Sequence, residues 1–171
     1  MGAAIAARLA SQGHEMTVWN RSTDKARALG FAVADSPQAL AGACETVISM
    51  LADSAAVGSV YEPLLSGAVK GKLFVEMSTV RPENSRALSQ KVTAKGAAFV
   101  ECPVGGSVGP AREGKLFGFA GGEDADVARA RPILEQLCRR IEHVGPAGAG
   151  ASMKLAIKDR KSTRLNSSHR L

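Results

Sequence analysis

Short apolar runs, each only long enough for a strand, alternate along the chain with longer stretches whose apolar residues recur at helical spacing. Residues 2–12 place Ala3, Ile5, Ala6, Leu9 and Ala10 on one helical face, and Gly13 follows as a C-cap. Met16 to Trp19 then reads as a short buried strand. A helix over 24–29 stops at Gly30, and a brief strand follows near 31–34. Ser36-Pro37 opens the next helix, a cap followed by proline in the first turn. Strands are predicted at 45–51, 72–77, 98–101, 116–120 and 141–144, with helices at 54–61, 82–95 and 125–137. Strands that alternate with helices of this length build a mostly parallel sheet covered on both faces. The fold class is α/β, doubly wound.

The 171 residues suit one domain, and a 45% hydrophobic share is enough for a core. No run of about 18 apolar residues occurs, and the first residues lack the basic lead and apolar run of a signal peptide. Cys44, Cys102 and Cys138 lie far apart without a CxxC, which argues against a disulfide framework or a zinc site and for a cytoplasmic protein. Half of the net charge of +6 sits in the last thirteen residues, and basic residues do not interleave with aromatics, so neither nucleic acid nor membrane is an expected partner. His14, His143 and His169 lack a neighbouring acid or thiol pattern, so no triad and no metal site are expected.

Doubly wound sheets bind ligands beyond the carboxyl ends of their strands. The loops to search are therefore 20–23, 50–53, 78–80 and 103–110, all rich in Gly, Ser, Thr or Asn, which are also ordinary turn residues. Gly2, at the start of the first helix, matches the last glycine of a dinucleotide fingerprint, where a pyrophosphate approaches a helix N-terminus. A strand ends at Asn20, near the place where an acid would hold the ribose hydroxyls of NAD. Asn20, Arg21, Ser22 and Thr23 stand there instead, and a guanidinium suits a 2′-phosphate, which favours NADP while leaving NAD possible. An arginine on a solvated turn is the other reading of Arg21.

Taken together, these segments resemble the Rossmann-like cofactor domain of the β-hydroxyacid dehydrogenases, the family of 3-hydroxyisobutyrate dehydrogenase and tartronate semialdehyde reductase. The resemblance spans residues 1–157 and rests on Gly13-His14-Glu15-Met16-Thr17-Val18-Trp19-Asn20-Arg21-Ser22, Met50-Leu51-Ala52-Asp53, Glu76-Met77-Ser78-Thr79-Val80, the glycine-rich stretch 103–116, and Gly148-Ala149-Gly150-Ala151-Ser152-Met153-Lys154-Leu155. It implies that Lys154 is the catalytic lysine, donating a proton in carbonyl reduction and taking it back in oxidation. It implies that Thr79 holds the nicotinamide half of the cofactor, that Met50 and Leu51 line the adenosine side, and that Gly105, Gly106 and Ser107 receive a substrate carboxylate.

The chain departs from the family pattern at Gly105, where the family has serine, and at Lys158, where it has asparagine. By the same resemblance, a first strand with two more fingerprint glycines is expected before Met1, so the sheet lacks its first strand. An all-helical domain is expected after about residue 160, and a homo-oligomer for the whole enzyme. Residues 158–171 match neither and lack apolar periodicity; they resemble read-through sequence, or else form a solvated basic tail. The implied activity is NADP-dependent hydride transfer on a small β-hydroxy acid or semialdehyde. A 6-phosphogluconate dehydrogenase-like enzyme, an imine reductase and a non-catalytic dinucleotide-binding module are the alternatives.

Overall fold

The computed structural model describes residues 1–167, with side chains through Asp159. Its elements are α1 (Gly2–Ser11), β1 (Thr17–Val18), α2 (Thr23–Arg27), β2 (Ala32–Val33), α3 (Pro37–Ala43), β3 (Thr46–Ser49), α4 (Ser54–Leu64) and β4 (Leu73–Glu76). They continue as α5 (Pro82–Ala94), β5 (Ala98–Glu101), β6 (Val104–Gly105), α6 (Val108–Arg112), β7 (Leu116–Gly121), α7 (Asp124–Leu137), β8 (Cys138–Gly145) and α8 (Ala149–Ser167). The expected α/β alternation is present except at β5 and β6, which follow one another with no helix between them. The start signals act as read: the Ser36 hydroxyl accepts from the Ala39 amide at 3.0 Å, and Pro37 and Pro82 open their helices.

The strands fall into two sheets. β1 pairs with β2 alone, in parallel. The larger sheet runs β3-β4-β5-β7-β6, with β8 also on β7. β3, β4 and β5 are parallel, in a register that aligns Ser49 with Glu76 and Glu76 with Glu101. β7 runs antiparallel to β5 and β6 and parallel to β8. No pairing joins β1 to β3, so the sheet is interrupted where the resemblance expects its first strand.

Two apolar layers cover the faces of the larger sheet. In β4 and its flank, Leu73, Val75 and Met77 face the layer built with Ile5 and Leu9 of α1 and Val127 and Leu134 of α7. Phe74 faces the opposite layer, with Tyr61 and Leu64 of α4 and Leu88 and Val92 of α5. Each such side chain contributes about 1.5–3 kcal/mol when fully buried. β4 is buried on both faces, as a near-continuous apolar run requires.

One expectation needs correction. Residues 103–110 are not a plain loop, since β6 and α6 lie across that stretch. Both are too short for periodicity to reveal, and neighbouring β7 supplies the pairing that makes β6 a strand. α8 runs on through Ser167, into the stretch read as a tail. Residues 168–171, including His169, lie outside the described residues.

Candidate active site

A cavity of about 1610 Å³ lies between the two sheets, in the place where the resemblance expects the first strand. One wall comes from β1 and its carboxyl end, including Thr17, Trp19, Asn20 and Arg21. The other comes from the N-terminus of α1 with Gly2, and from β3 and the following loop with Met50 and Leu51. Asn20 shapes its turn by accepting the Ser22 amide on Oδ1 at 2.9 Å. Arg21 is exposed, and among the described residues no carboxylate lies within ion-pair distance of it. α1 has no side-chain cap on its first turn, and its Ala4 amide is taken by the Met1 carbonyl at 2.9 Å. A Cβ on Gly2 would touch only Met50, at 3.8 Å, so packing inside the protein does not demand glycine there.

The structure brings five of the sequence-predicted residues together in this cavity: Gly2, Asn20, Arg21, Met50 and Leu51. Ser22, Thr79, Gly105, Gly106, Ser107 and Lys154 do not line it. Thr79, Gly106 and Ser107 are exposed on loops, and Lys154 is half-buried on the second turn of α8. Gly106 has φ of +133°, and a Cβ there would meet Leu116 Cδ2 at 2.7 Å, so its glycine is enforced. Gly105 differs: a Cβ would meet nothing closer than Phe117 Cβ at 3.7 Å, and the position has room for the serine of the family pattern. Lys158 lies one turn beyond Lys154 on the same helical face. His143 does have an acid partner, Asp124 Oδ1 at 3.5 Å, but its Nε2 is engaged by the Gly122 carbonyl at 3.0 Å. Asp53 is the cap of α4, accepting from the Ala56 amide at 2.8 Å.

Sequence reasoning missed two buried carboxylates at the carboxyl ends of the central strands. Glu76 is fully buried. It accepts from the Ser78 amide at 2.7 Å and from the Ser49 hydroxyl, which also meets the Tyr61 hydroxyl at 2.8 Å. Ser78 in turn accepts the Leu51 amide at 2.7 Å, so Glu76 ties together the two loops that follow β3 and β4. Glu101, 1% exposed, accepts from Gly148, Gly150 and Ala151 amides and from the Ser85 hydroxyl. The available signal was one acid ending an otherwise apolar strand, at 73–76 and again at 98–101.

Burial pushes the Glu76 carboxyl above its ordinary 4.5, and the hydrogen bonds from Ser49 and Ser78 only partly offset this. The folded protein therefore binds this proton more tightly than the unfolded chain. The resulting stability is full below about pH 4.5 and is lost as pH rises through the folded value. Glu76→Gln keeps an oxygen for the Ser78 amide without the buried charge. It is expected to raise the thermal midpoint at pH 8, by about 2–4 °C per kcal/mol gained, and to flatten this part of the pH dependence. Melting curves across pH check this; an unchanged or lowered midpoint at pH 8 counts against it.

An open α/β sheet with a helix N-terminus and two strand-end loops converging on a cleft defines a dinucleotide-binding domain. The sequence pattern of the NAD-binding domain of 6-phosphogluconate dehydrogenase matches residues 1–145. The chain belongs to this family, as an NAD-binding domain of the β-hydroxyacid dehydrogenase kind. It is 36% identical to glyoxylate/succinic semialdehyde reductase 1 of Arabidopsis thaliana, over 97% of this chain and 60% of the relative. It is 37% identical to 3-hydroxyisobutyrate dehydrogenase of Pseudomonas aeruginosa, over 91% of this chain and 54% of the relative. The solved Psf3 in complex with NADP+ and 2-OPP superposes with a TM-score of 0.86 at 32% identity, covering 91% of this chain and 57% of that one. The chain thus spans little more than half the length of these relatives.

Proposed function

We propose that this chain is the cofactor-binding part of an NADP-dependent oxidoreductase that interconverts a small β-hydroxy acid and its semialdehyde. The observation that carries the reading is the cavity whose lining holds Asn20 and Arg21 together with Gly2 at the start of α1. Backbone amides at Gly2 would take the pyrophosphate, Met50 and Leu51 the adenosine side, and Arg21 with Asn20 and Ser22 a 2′-phosphate. Thr79 would hold the nicotinamide half. The bound cofactor supplies or accepts the hydride. The chain's own residues do the rest: backbone amides and the hydroxyl of Gly105, Gly106 and Ser107 hold the substrate carboxylate, and Lys154 Nζ gives a proton to the reacting oxygen in reduction and takes it back in oxidation.

The kinds of relatives found support a hydroxy-acid or semialdehyde substrate over the 6-phosphogluconate and non-catalytic readings. Three free cysteines support a reducing, cytoplasmic setting. Among the described residues no helix is long and apolar enough to cross a membrane. A homo-oligomer is the proposed state of the whole enzyme.

Arg21→Ala is expected to weaken NADPH binding by about 1–3 kcal/mol, the range for a charge-assisted hydrogen bond, and to leave NADH binding nearly unchanged. Calorimetric titration with both cofactors decides the matter. Equal losses for the two would remove Arg21 from phosphate recognition.

A further inference from the structure

The half-buried Lys154 sits on a helix whose first turn is fastened to the sheet by a single carboxylate. Glu101 ends β5 inside the protein. Its Oε1 accepts the Gly148 and Gly150 amides, both at 2.7 Å, and the Ala151 amide at 3.3 Å. Its Oε2 accepts the Ser85 hydroxyl from α5. Four neutral donors thus saturate the carboxylate, and three of them are amides that the opening of α8 would otherwise leave unsatisfied. A negative group at a helix N-terminus also meets the positive end of the helix dipole.

The glycines around this contact are spaced to permit it. A Cβ on Gly121 would stand 2.5 Å from Glu101 Oε1. A Cβ on Gly150 would collide with the Phe119 carbonyl oxygen of β7 and approach Glu101 Oε1 at 3.1 Å. Gly148 takes φ of +96°, and a Cβ there would meet Arg86 Nη1 at 2.7 Å. The Gly-Ala-Gly preceding the lysine is therefore a docking surface for Glu101. Lys154 follows Gly150 by four residues and Ala151 by three, so it stands one turn above the clamped amides on the same helical face.

We infer that Glu101 is the positioning residue for Lys154: by holding the Gly148–Ala151 amides, with Ser85 fixing its own orientation, it sets the rotation and depth of α8 and hence where the lysine ammonium stands. The inference rests on Lys154 being the proton carrier proposed above. A neutral amide at position 101 has a weaker acceptor for the three amides, so the helix shifts. A misplacement of about 1 Å at a reacting group is enough to cost on the order of 100-fold in rate.

The test uses the full-length enzyme that carries this chain, with Glu101→Gln, Ser85→Ala and Lys154→Ala made singly and in combination. Glu101→Gln is expected to lower kcat about 10-fold or more, with NADPH affinity within about twofold of the parent, because no residue of α8 lines the cavity that holds Arg21. Ser85→Ala is expected to lower kcat in the same direction by about 3-fold. In the Lys154→Ala background neither change lowers kcat further, since the group being positioned is gone. The alkaline limb of the kcat–pH profile moves in Glu101→Gln and is absent in Lys154→Ala.

Equal fractional losses with and without Lys154, or an unaltered kcat and pH profile, would overturn the inference. If Glu101→Gln does not fold, Ser85→Ala in the two backgrounds decides it alone. A Lys154→Ala enzyme of full activity would instead overturn the proton-carrier reading. The two failures are thereby told apart.

Discussion

Replacing Lys154 by alanine in the full-length enzyme lowers kcat by about 10²- to 10⁴-fold and leaves the dissociation constant for NADPH nearly unchanged. That is the expected result, and its size is the usual contribution of a positioned acid or base. The split between the two constants follows from geometry. Gly2, Asn20, Arg21, Met50 and Leu51, assigned to the adenosine end and pyrophosphate, line the cavity between the sheets, whereas Lys154 lies on α8, against β7, β8 and α5. Loss of the ammonium therefore removes a proton carrier without touching the cavity walls. Steady-state kinetics with a panel of small semialdehydes, beside cofactor titration, is the check. Undiminished turnover would end the proposed chemistry, and an equal loss of cofactor affinity would move Lys154 into the binding site.

A second large effect is expected in the polypeptide of these 171 residues taken by itself. The edges of β1 and β3 that turn away from their partners have no strand beside them. Buried unpaired backbone groups cost about 1–3 kcal/mol each, against a total of about 5–15 kcal/mol for a typical domain. Amides around Val18 and Ile48 are expected to exchange with solvent at least about 100-fold faster than those of Val75 and Val100, which lie in strands paired on both sides. The thermal transition is expected to be broad, with β1, β2 and α2 opening first. Residue-resolved hydrogen exchange and calorimetry test this. A sharp melt with uniform protection across all strands would show that the interruption costs nothing.

Much of this architecture is legible in the residue pattern because local and global signals agree. Phe74 and Val75 sit in a run with no polar interruption until Glu76, and that run is the central strand β4. Ser36-Pro37 marks a helix start, and its hydroxyl makes the expected bond. What escaped the pattern depends on partners distant in sequence. β6 is a strand because β7 lies beside it, and the reversal of β7 against β5 leaves no local trace in Leu116-Phe117-Gly118-Phe119. The buried acids read as strand ends, since their donors come from residues as remote as Ser85 and Gly150. In the candidate site, turn chemistry and helix starts located Asn20, Arg21 and Gly2, whereas the spacing between α8 and the cavity was beyond any periodicity.

In the polypeptide of these 171 residues taken by itself, the division of the strands into two sheets also changes what a cofactor does on arrival. Asn20 and Arg21 belong to the two-stranded sheet, and Met50 and Leu51 to the larger one, with no backbone ladder between them. In that polypeptide a ligand reaching from one wall to the other is a strut between the two sheets. Part of its gross contact energy is spent on fixing one sheet against the other, and its apparent affinity is reduced by that ordering. The same linkage makes saturating ligand a stabiliser in proportion to RT ln(1 + [L]/Kd), with the stiffening concentrated in β1, β2 and α2. Half of a cofactor, engaging one wall only, would bind without bracing anything.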